Sequence, residues 1–288
     1  MFSGAIYLPF LAAVLHPPLA WLFQRGEKRG LPMALTVAAS NFGVAILFLF
    51  WFRPNLFGSW QPLDLLALLN GFFFFGGQWF SVKAVKAGDL VVHTSALGIK
   101  LFVVAGLSLM IGLEIGSAAL VGGVLLAAFA IFLLAGGNLE GWRKHRATVG
   151  WTLVGTTSFA ISDVLTSRYA QEVGVGRWLC LMLVMSGVST LILLATRRKK
   201  LKEVSWRRPT WLVLGGIAAV MGTQAILINL AFSNYKEPTL SNIVYSVRGL
   251  LAIPFVMILQ RRLRGVVSPQ TAWGALLILG ALVLASFG

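Results

Sequence analysis

Long apolar segments recur along this chain, and they constrain its fold more than any other feature. We identify ten, each close to the roughly 20 residues that a helix needs to cross a ~30 Å hydrocarbon layer. They cover residues 4–23, 31–52, 63–82, 90–113, 117–136, 148–168, 178–196, 211–233, 239–259 and 269–287. Inside a bilayer the backbone finds no water to bond, so each segment must satisfy its hydrogen bonds internally. The sequence therefore predicts an all-α polytopic membrane protein with ten transmembrane helices.

The composition excludes an ordinary soluble protein. Of the 288 residues, 58% are hydrophobic and 11% are charged, whereas a soluble domain carries about 25% charged residues. The first segment has neither a basic n-region nor an A-x-A cleavage site, so we interpret it as a retained helix rather than a signal peptide. The single cysteine, Cys180, excludes a disulfide within the chain and gives no sign of a metal cluster. We expect an integral protein of a bacterial inner membrane with no separate soluble domain.

Lysine and arginine residues concentrate in alternate loops. The loops after the odd-numbered segments hold eighteen of them, and the loops on the opposite side hold four. Since cytoplasmic loops carry the excess of positive charge, this division predicts cytoplasmic odd-numbered loops and both termini outside the cytoplasm. The net charge of +15 then needs no nucleic-acid partner. We interpret the densest cluster, Arg197 to Arg208, as a loop that faces anionic lipid headgroups.

Polar residues recur at a nearly constant offset in the two halves of the chain. The matching pairs, 146 to 148 residues apart, are Gln78 with Gln224, His16 with Asp163, and Lys100 with Arg248. With five segments in each copy, the second copy must insert upside down relative to the first. The sequence thus predicts two inverted five-helix repeats, residues 1–140 and 141–288, joined in one membrane domain. Many secondary transporters use this arrangement.

Lys100 and Arg248 each lie near the middle of an apolar segment. A cation there costs roughly 2.5 to 3.5 kcal/mol on insertion scales, so two at equivalent positions indicate a binding site for an anion. One alternative is a structural ion pair with Asp163, the one acid that we place deep inside a segment, which can neutralise only one of the two cations. The other alternative is that their side chains reach the membrane surface.

Further polar side chains are candidates for lining the same cavity. Asn242, Tyr245 and Arg248 are spaced three residues apart, which places them on one face of a helix. A polar stripe within a bilayer must face protein or a water-filled cavity. The complete set of candidate substrate-binding residues is Lys100, Arg248, Tyr245, Asn242, Gln78, Gln224, Asn229, His93 and Thr94. The amide side chains could equally hold helices together through hydrogen bonds.

The sequence His16-Pro17-Pro18 in the first segment has two interpretations. The two prolines remove backbone donors and predict a kink, and interrupted helices often mark transporter sites. His16 titrates near neutral pH when unperturbed, so His16 and Asp163 form a candidate pair for binding a coupling proton. The alternative is a hinge at Pro17 with a salt-bridge partner and no proton transport.

Gly112-Leu113-Glu114, a turn and the glycine-rich segment Ser117–Gly136 together resemble the end of a repeat in the EamA branch of the drug/metabolite transporter superfamily. The second half has a similar ending in Arg261-Arg262-Leu263-Arg264-Gly265 and residues 274–283, although Gln260 and Arg261 replace the Gly-Glu pair. The resemblance implies a ten-helix carrier with a central cavity lined mainly by the first four helices of each repeat.

The plastid phosphate translocators of the same superfamily are similar at the two intramembrane cations. They hold their anion with a lysine on helix 4 and a Lys-Arg pair on helix 9. Lys100 falls on helix 4 and Arg248 on helix 9, with Val247 in place of the lysine of the pair. The resemblance implies an anion site at these two positions.

These observations favour a secondary active transporter, either an exchanger or ion-coupled, for a small organic anion such as a phosphorylated metabolite, a carboxylate or an amino acid. The chain lacks the G-x-x-x-x-G-K-[ST] motif of ATPases. One alternative is an exporter or flippase of amphipathic or lipid-linked molecules, for which the run Phe72 to Phe75 would suit an apolar cavity. Another is a non-transporting sensor or scaffold. We expect no enzyme activity and no cofactor. The expected partners are the anion and membrane lipids, and a monomer and a homodimer are both compatible with the sequence.

Overall fold

The computed structural model describes residues 4–52, 59–87, 90–114, 116–135, 139–251, 254–255 and 269–287. Within these ranges the regular structure is helical and no strand occurs. The helices are α1 (Gly4–Lys28), α2 (Met33–Phe52), α3 (Pro62–Ala87), α4 (Leu90–Ala96), α5 (Ile99–Met110), α6 (Ala118–Leu134), α7 (Leu139–Lys144), α8 (Arg146–Val173), α9 (Val175–Thr196), α10 (Arg198–Lys202), α11 (Arg208–Tyr235), α12 (Pro238–Ser246) and α13 (Pro269–Ala285).

Six of the described helices are long and apolar enough to cross a membrane. They comprise Gly4–Lys28, Met33–Phe52, Pro62–Ala84, Val92–Met110, Val175–Thr196 and Arg208–Tyr235. Ala118–Leu134 and Ala272–Ala285 are shorter apolar helices. The described chain is therefore all-α, as predicted, and its apolar helices are those of an integral membrane protein.

Two of the predicted apolar segments contain a short irregularity in the helix that the sequence did not indicate. Leu97 and Gly98 separate α4 from α5, and α12 ends at Ser246, followed by Val247. Gly98 and Val247 keep right-handed helical backbone angles, so α4 and α5 still form one apolar span, Val92–Met110. Lys100 lies two residues after Gly98, and Arg248 directly follows Val247. The double proline lies inside α1, which runs as one helix from Gly4 to Lys28.

Helices from the two halves of the sequence pack against each other throughout the bundle. The pairs in contact are α1 with α11 and α12, α2 with α9 and α11, α3 with α8 and α9, α5 with α8 and α12, and α6 with α13. One buried apolar cluster joins α2, α3, α8, α9 and α11 around Phe48 and Trp178. Neither half therefore forms a core of its own, and both contribute to one domain.

A buried ion pair connects the N-terminal ends of α3 and α9. Arg177 donates from Nε to Asp64 Oδ1 at 2.9 Å and from Nη2 to Asp64 Oδ2 at 2.6 Å. Asp64 also accepts a hydrogen bond of 2.8 Å from the backbone N–H of Gln61, and its side chain is fully buried. The two-pronged contact fixes both distance and orientation, so it holds the ends of these helices in register.

Glu114, which follows the end of α5, caps the N-terminus of α12. Gly112 adopts a φ of 66°, a left-handed conformation that suits glycine and ends the preceding helix. The Glu114 carboxylate accepts hydrogen bonds from the backbone N–H, at 2.9 Å, and the hydroxyl of Thr239. Burial raises the pKa of the Glu114 carboxyl above its ordinary value, and the bonds from Thr239 oppose that rise. An acceptor from one half thus satisfies the first turn of a helix in the other.

Glycines set the distance between several helices. A Cβ atom at Gly71 would lie 2.0 Å from the backbone oxygen of Met182, and one at Gly43 would lie 2.4 Å from the Cβ of Ala218. Only a residue without a side chain lets α3 approach α9, and α2 approach α11, this closely. A Cβ at Gly187 on α9 would meet none of the described atoms within 4 Å.

We predict that Gly71→Ala destabilises the protein because the new methyl group overlaps the backbone of α9. The cost of overpacking is about 1 to 3 kcal/mol, which should appear as a lower midpoint of thermal unfolding in detergent. Gly187→Ala is the matched control and should be neutral or slightly stabilising, because alanine favours a helix over glycine. Equal effects of the two substitutions would contradict the close approach of α3 and α9.

Candidate functional site

A three-residue polar network joins α5, α8 and α12 in the interior of the bundle. Lys100 Nζ lies 2.6 Å from Asp163 Oδ2 and donates to Asn242 Oδ1 at 2.8 Å. The Asn242 amide in turn donates to Asp163 Oδ2 at 3.0 Å and to the backbone oxygen of Pro238 at 2.8 Å. The side chains of Lys100 and Asp163 are 18% and 11% exposed. The lysine charge is thus balanced by a carboxylate, and Asn242 holds the pair in place.

Among the described residues, no carboxylate balances the charge of Arg248 in this way. It is half-buried, and its guanidinium carbon lies 4.2 Å from the centre of the Tyr245 ring. No carboxylate of the described residues comes within 4.0 Å of this guanidinium; the Asp163 carboxylate pairs with Lys100 instead. Arg248 is close enough to Lys100, His16 and His93 to interact electrostatically with each. Stacking on a tyrosine ring leaves the edge of a guanidinium available for a planar anion.

Aromatic rings form part of the wall around the two cations. The His16 ring meets the Tyr245 ring edge to face, with 6.2 Å between centroids. On the other side, Lys100 Nζ lies 5.7 Å from the centre of the Phe159 ring, which packs edge to face against Phe74. A cation over an aromatic face gains electrostatic stabilisation. The surroundings of the site are therefore partly apolar, which strengthens any charge interaction within it.

The paired glutamines have different surroundings. Gln224 donates to the backbone oxygen of Ala12 at 2.8 Å and so connects α11 to α1. Gln78 is 9% exposed, and neither its amide nitrogen nor its amide oxygen has a hydrogen-bond partner among the described residues. Leaving buried donors and acceptors unpaired costs about 1 to 3 kcal/mol each. Gln224 has a structural bond, whereas the amide of Gln78 has none among the described residues.

The remaining predicted binding residues have contacts of their own. Asn229 donates to the backbone oxygen of Ala225 in its own helix at 2.8 Å. The Nδ1 atom of His93 lies 2.8 Å from the Thr152 hydroxyl. Thr94 is exposed on α4.

His16 and Asp163, the candidate pair for a coupling proton, have separate partners. Asp163 contacts Lys100 and Asn242, while His16 lies against Tyr245, and the two form no ion pair within the described structure. The Nδ1 atom of His16 is buried, with no hydrogen-bond partner in the described ranges. Pro17, next to it, is buried within α1. The two side chains therefore have different contacts in this structure, and their binding of a coupling proton stays a prediction.

Sequence reasoning missed two contributors to the site. Phe159 is one of twenty phenylalanines, and nothing in the sequence distinguishes it from the others as a site residue. The helix irregularities before Lys100 and Arg248 were not indicated either. They contain no proline, and Gly98 alone is a weak signal among 31 glycines.

Comparison with known proteins defines the fold but not the activity. No family model matches the chain, and no curated protein matches it. Twenty-nine chains of known structure do match. One, described only as "Crystal structure of protein", is 16% identical and aligns with a TM-score of 0.72 over 99% of this chain and 98% of that chain. At this identity the similarity shows a shared fold, which extends over nearly the whole length of both chains.

We predict that Asp163→Asn destabilises the protein strongly, because it leaves the Lys100 ammonium buried without a counter-charge. Removing one partner of a buried ion pair costs about 3 to 5 kcal/mol. The double variant Lys100→Gln/Asp163→Asn removes both charges and should recover most of that loss. Thermal unfolding of the two single variants and the double variant forms a double-mutant cycle. Additive effects in this cycle would contradict the pairing.

Proposed function

We propose that this protein is a secondary active transporter, either an exchanger or ion-coupled, that carries a small organic anion through the inner membrane by alternating access. The observation that supports the proposal best is the half-buried Arg248 guanidinium, stacked on Tyr245 and without a carboxylate in ion-pair distance among the described residues. Placing a cation inside a membrane protein is costly, so an intramembrane cation is by default a candidate functional residue. A bound anion supplies the missing counter-charge.

We propose that the chain forms two inverted repeats of five helices, residues 1–140 and 141–288. The helix contacts support this arrangement because each contact has a counterpart when every helix is replaced by the matching helix of the other half. The contact of α1 with α11 corresponds to that of α8 with α3, and the contact of α1 with α12 corresponds to that of α8 with α5. The contacts of α2 with α9 and of α6 with α13 each correspond to themselves. In this arrangement the fourth helix of each repeat carries a cation just after a short irregularity in the helix.

Membership of the EamA branch of the drug/metabolite transporter superfamily is part of the proposal. Gly112 and Glu114 support it, because the glycine ends a helix and the carboxylate caps α12 of the other half. The matching ending of the second half, residues 261–265, lies outside the described residues.

The contacts support distinct roles for the candidate residues. In the proposed mechanism Arg248 binds the anionic group of the cargo, and Tyr245 fixes the plane of its guanidinium. Asp163 and Asn242 hold Lys100, whose charge adds to the attraction. Gln78 offers a donor and an acceptor to a neutral polar group of the cargo. Gln224, Asn229 and His93 hold the helices that surround the site.

An exporter or flippase of amphipathic molecules is the second candidate. An apolar cavity of about 210 Å³ lies between α5 and α6, lined by Phe102, Ala105, Leu109, Gly116, Leu120, Val121, Val124 and Leu125. Its lining could hold an acyl chain but offers no side chain to bind a polar headgroup. Transfer of lipid by the purified protein in liposomes, without transport of soluble anions, would favour this alternative.

We predict that Arg248→Gln weakens anion binding and slows anion transport while the protein still folds, because it removes a cation that has no carboxylate at ion-pair distance among the described residues. Loss of one charge-assisted contact of about 1.5 to 3 kcal/mol should weaken binding by at least about tenfold. The measurements are counterflow of radiolabelled anions in proteoliposomes and ligand-dependent thermal stabilisation.

Arg168→Gln is the matched control. Arg168 is exposed and pairs with Glu172 one helical turn away, a surface contact worth about 0.3 to 0.5 kcal/mol, so transport should be unchanged. Normal transport by Arg248→Gln would overturn the proposed function. Partial activity of Arg248→Lys would indicate that charge is needed and that the planar guanidinium adds to it.

A further inference from the structure

The charges around Arg248 do not cancel. Among the described residues the network contains two cations, Lys100 and Arg248, and one carboxylate, Asp163. His16 and His93 are the two titratable imidazoles that interact electrostatically with Arg248. With both imidazoles neutral, the described site carries a net charge of one positive unit, located at Arg248.

From this imbalance we infer that the cargo carries one negative charge, as a carboxylate or a phosphodiester does, rather than the two of a phosphate monoester or a dicarboxylate. The inference rests on the proposed transport function and narrows its substrate class. A single negative charge neutralises the site. A second one would remain unbalanced inside the bundle, where an uncompensated ion costs several kcal/mol.

Two series of nearly isosteric probes separate charge from shape. The first consists of succinate, succinamate and succinamide, and the second consists of terephthalate, terephthalamate and terephthalamide. Within each series the carbon skeleton is constant. The diacid carries two negative charges, the monoamide carries one and the diamide carries none. Ligand-dependent thermal stabilisation of the purified protein gives relative affinities. The measurements are made at pH 8, where an imidazole with an ordinary pKa is neutral.

For the wild-type protein we expect the monoamides to bind at least about tenfold more tightly than the diacids, with the diamides weakest, since an unbalanced buried charge costs more than 1.4 kcal/mol. Asp163→Asn adds one positive unit to the site, so the diacid of each series should then bind best. Lys100→Gln/Asp163→Asn keeps the net charge at one unit and should keep the preference for the monoamide. This double variant tests the inference even if Asp163→Asn does not fold.

The outcomes distinguish the inference from the function on which it rests. Preference of the wild-type protein for the diacids, or of the double variant for them, would overturn the single-charge inference and leave the anion carrier in place. No stabilisation by any of the acids at millimolar concentration would overturn the anion site itself. Equal binding of the monoamide by Arg248→Gln and wild-type protein would also contradict the anion site.

Discussion

The contact between Lys100 and Asp163 is the interaction on which the interior of this bundle depends. An ammonium group inside an apolar helix bundle is tolerated when a carboxylate and a hydrogen-bond acceptor replace its water. Asp163 and Asn242 supply both, and they come from α8 and α12, while the lysine belongs to α5. Three helices from different parts of the sequence are thereby joined at one point. Any rearrangement that separates α5 from α8 must break this pair or supply a substitute for it.

Close helix packing and the polar contacts at the helix ends support this network. The glycines that bring α3 onto α9 and α2 onto α11 leave no room for side chains at the contact, so the helices approach each other through their backbones. At the ends, Arg177 binds Asp64 with two hydrogen bonds and Glu114 caps α12. In a membrane the hydrophobic effect does not distinguish lipid from protein, and packing and hydrogen bonds must hold helices together. The polar groups outside the central network mostly have this structural function.

The sequence predicted the helical membrane class because apolar segments of bilayer length leave few other folds. It also placed Lys100, Arg248 and Asp163 inside the segments, and the structure joins the lysine to the acid. It did not predict which of the two cations pairs with Asp163, because the pairing depends on contacts between helices that are distant in sequence. For the same reason the roles of Gln78 and Gln224 could not be separated: one amide finds the backbone oxygen of Ala12, the other finds no partner among the described residues. The number of helices and the orientation of the termini stay predictions.

The proposed repeat explains why Arg248, unlike Lys100, has no carboxylate at ion-pair distance among the described residues. If the halves are related, Lys100 corresponds to Arg248 and Asp163 corresponds to His16. The counterpart of the Lys100–Asp163 pair is then Arg248 with His16, and there an imidazole stands where the other repeat has a carboxylate. An imidazole carries no negative charge in either protonation state, so His16 does not compensate Arg248 as Asp163 compensates Lys100. In the proposed arrangement the asymmetry lies in one position of each repeat, and the described residues then contain one closed ion pair and one cation without a carboxylate at ion-pair distance.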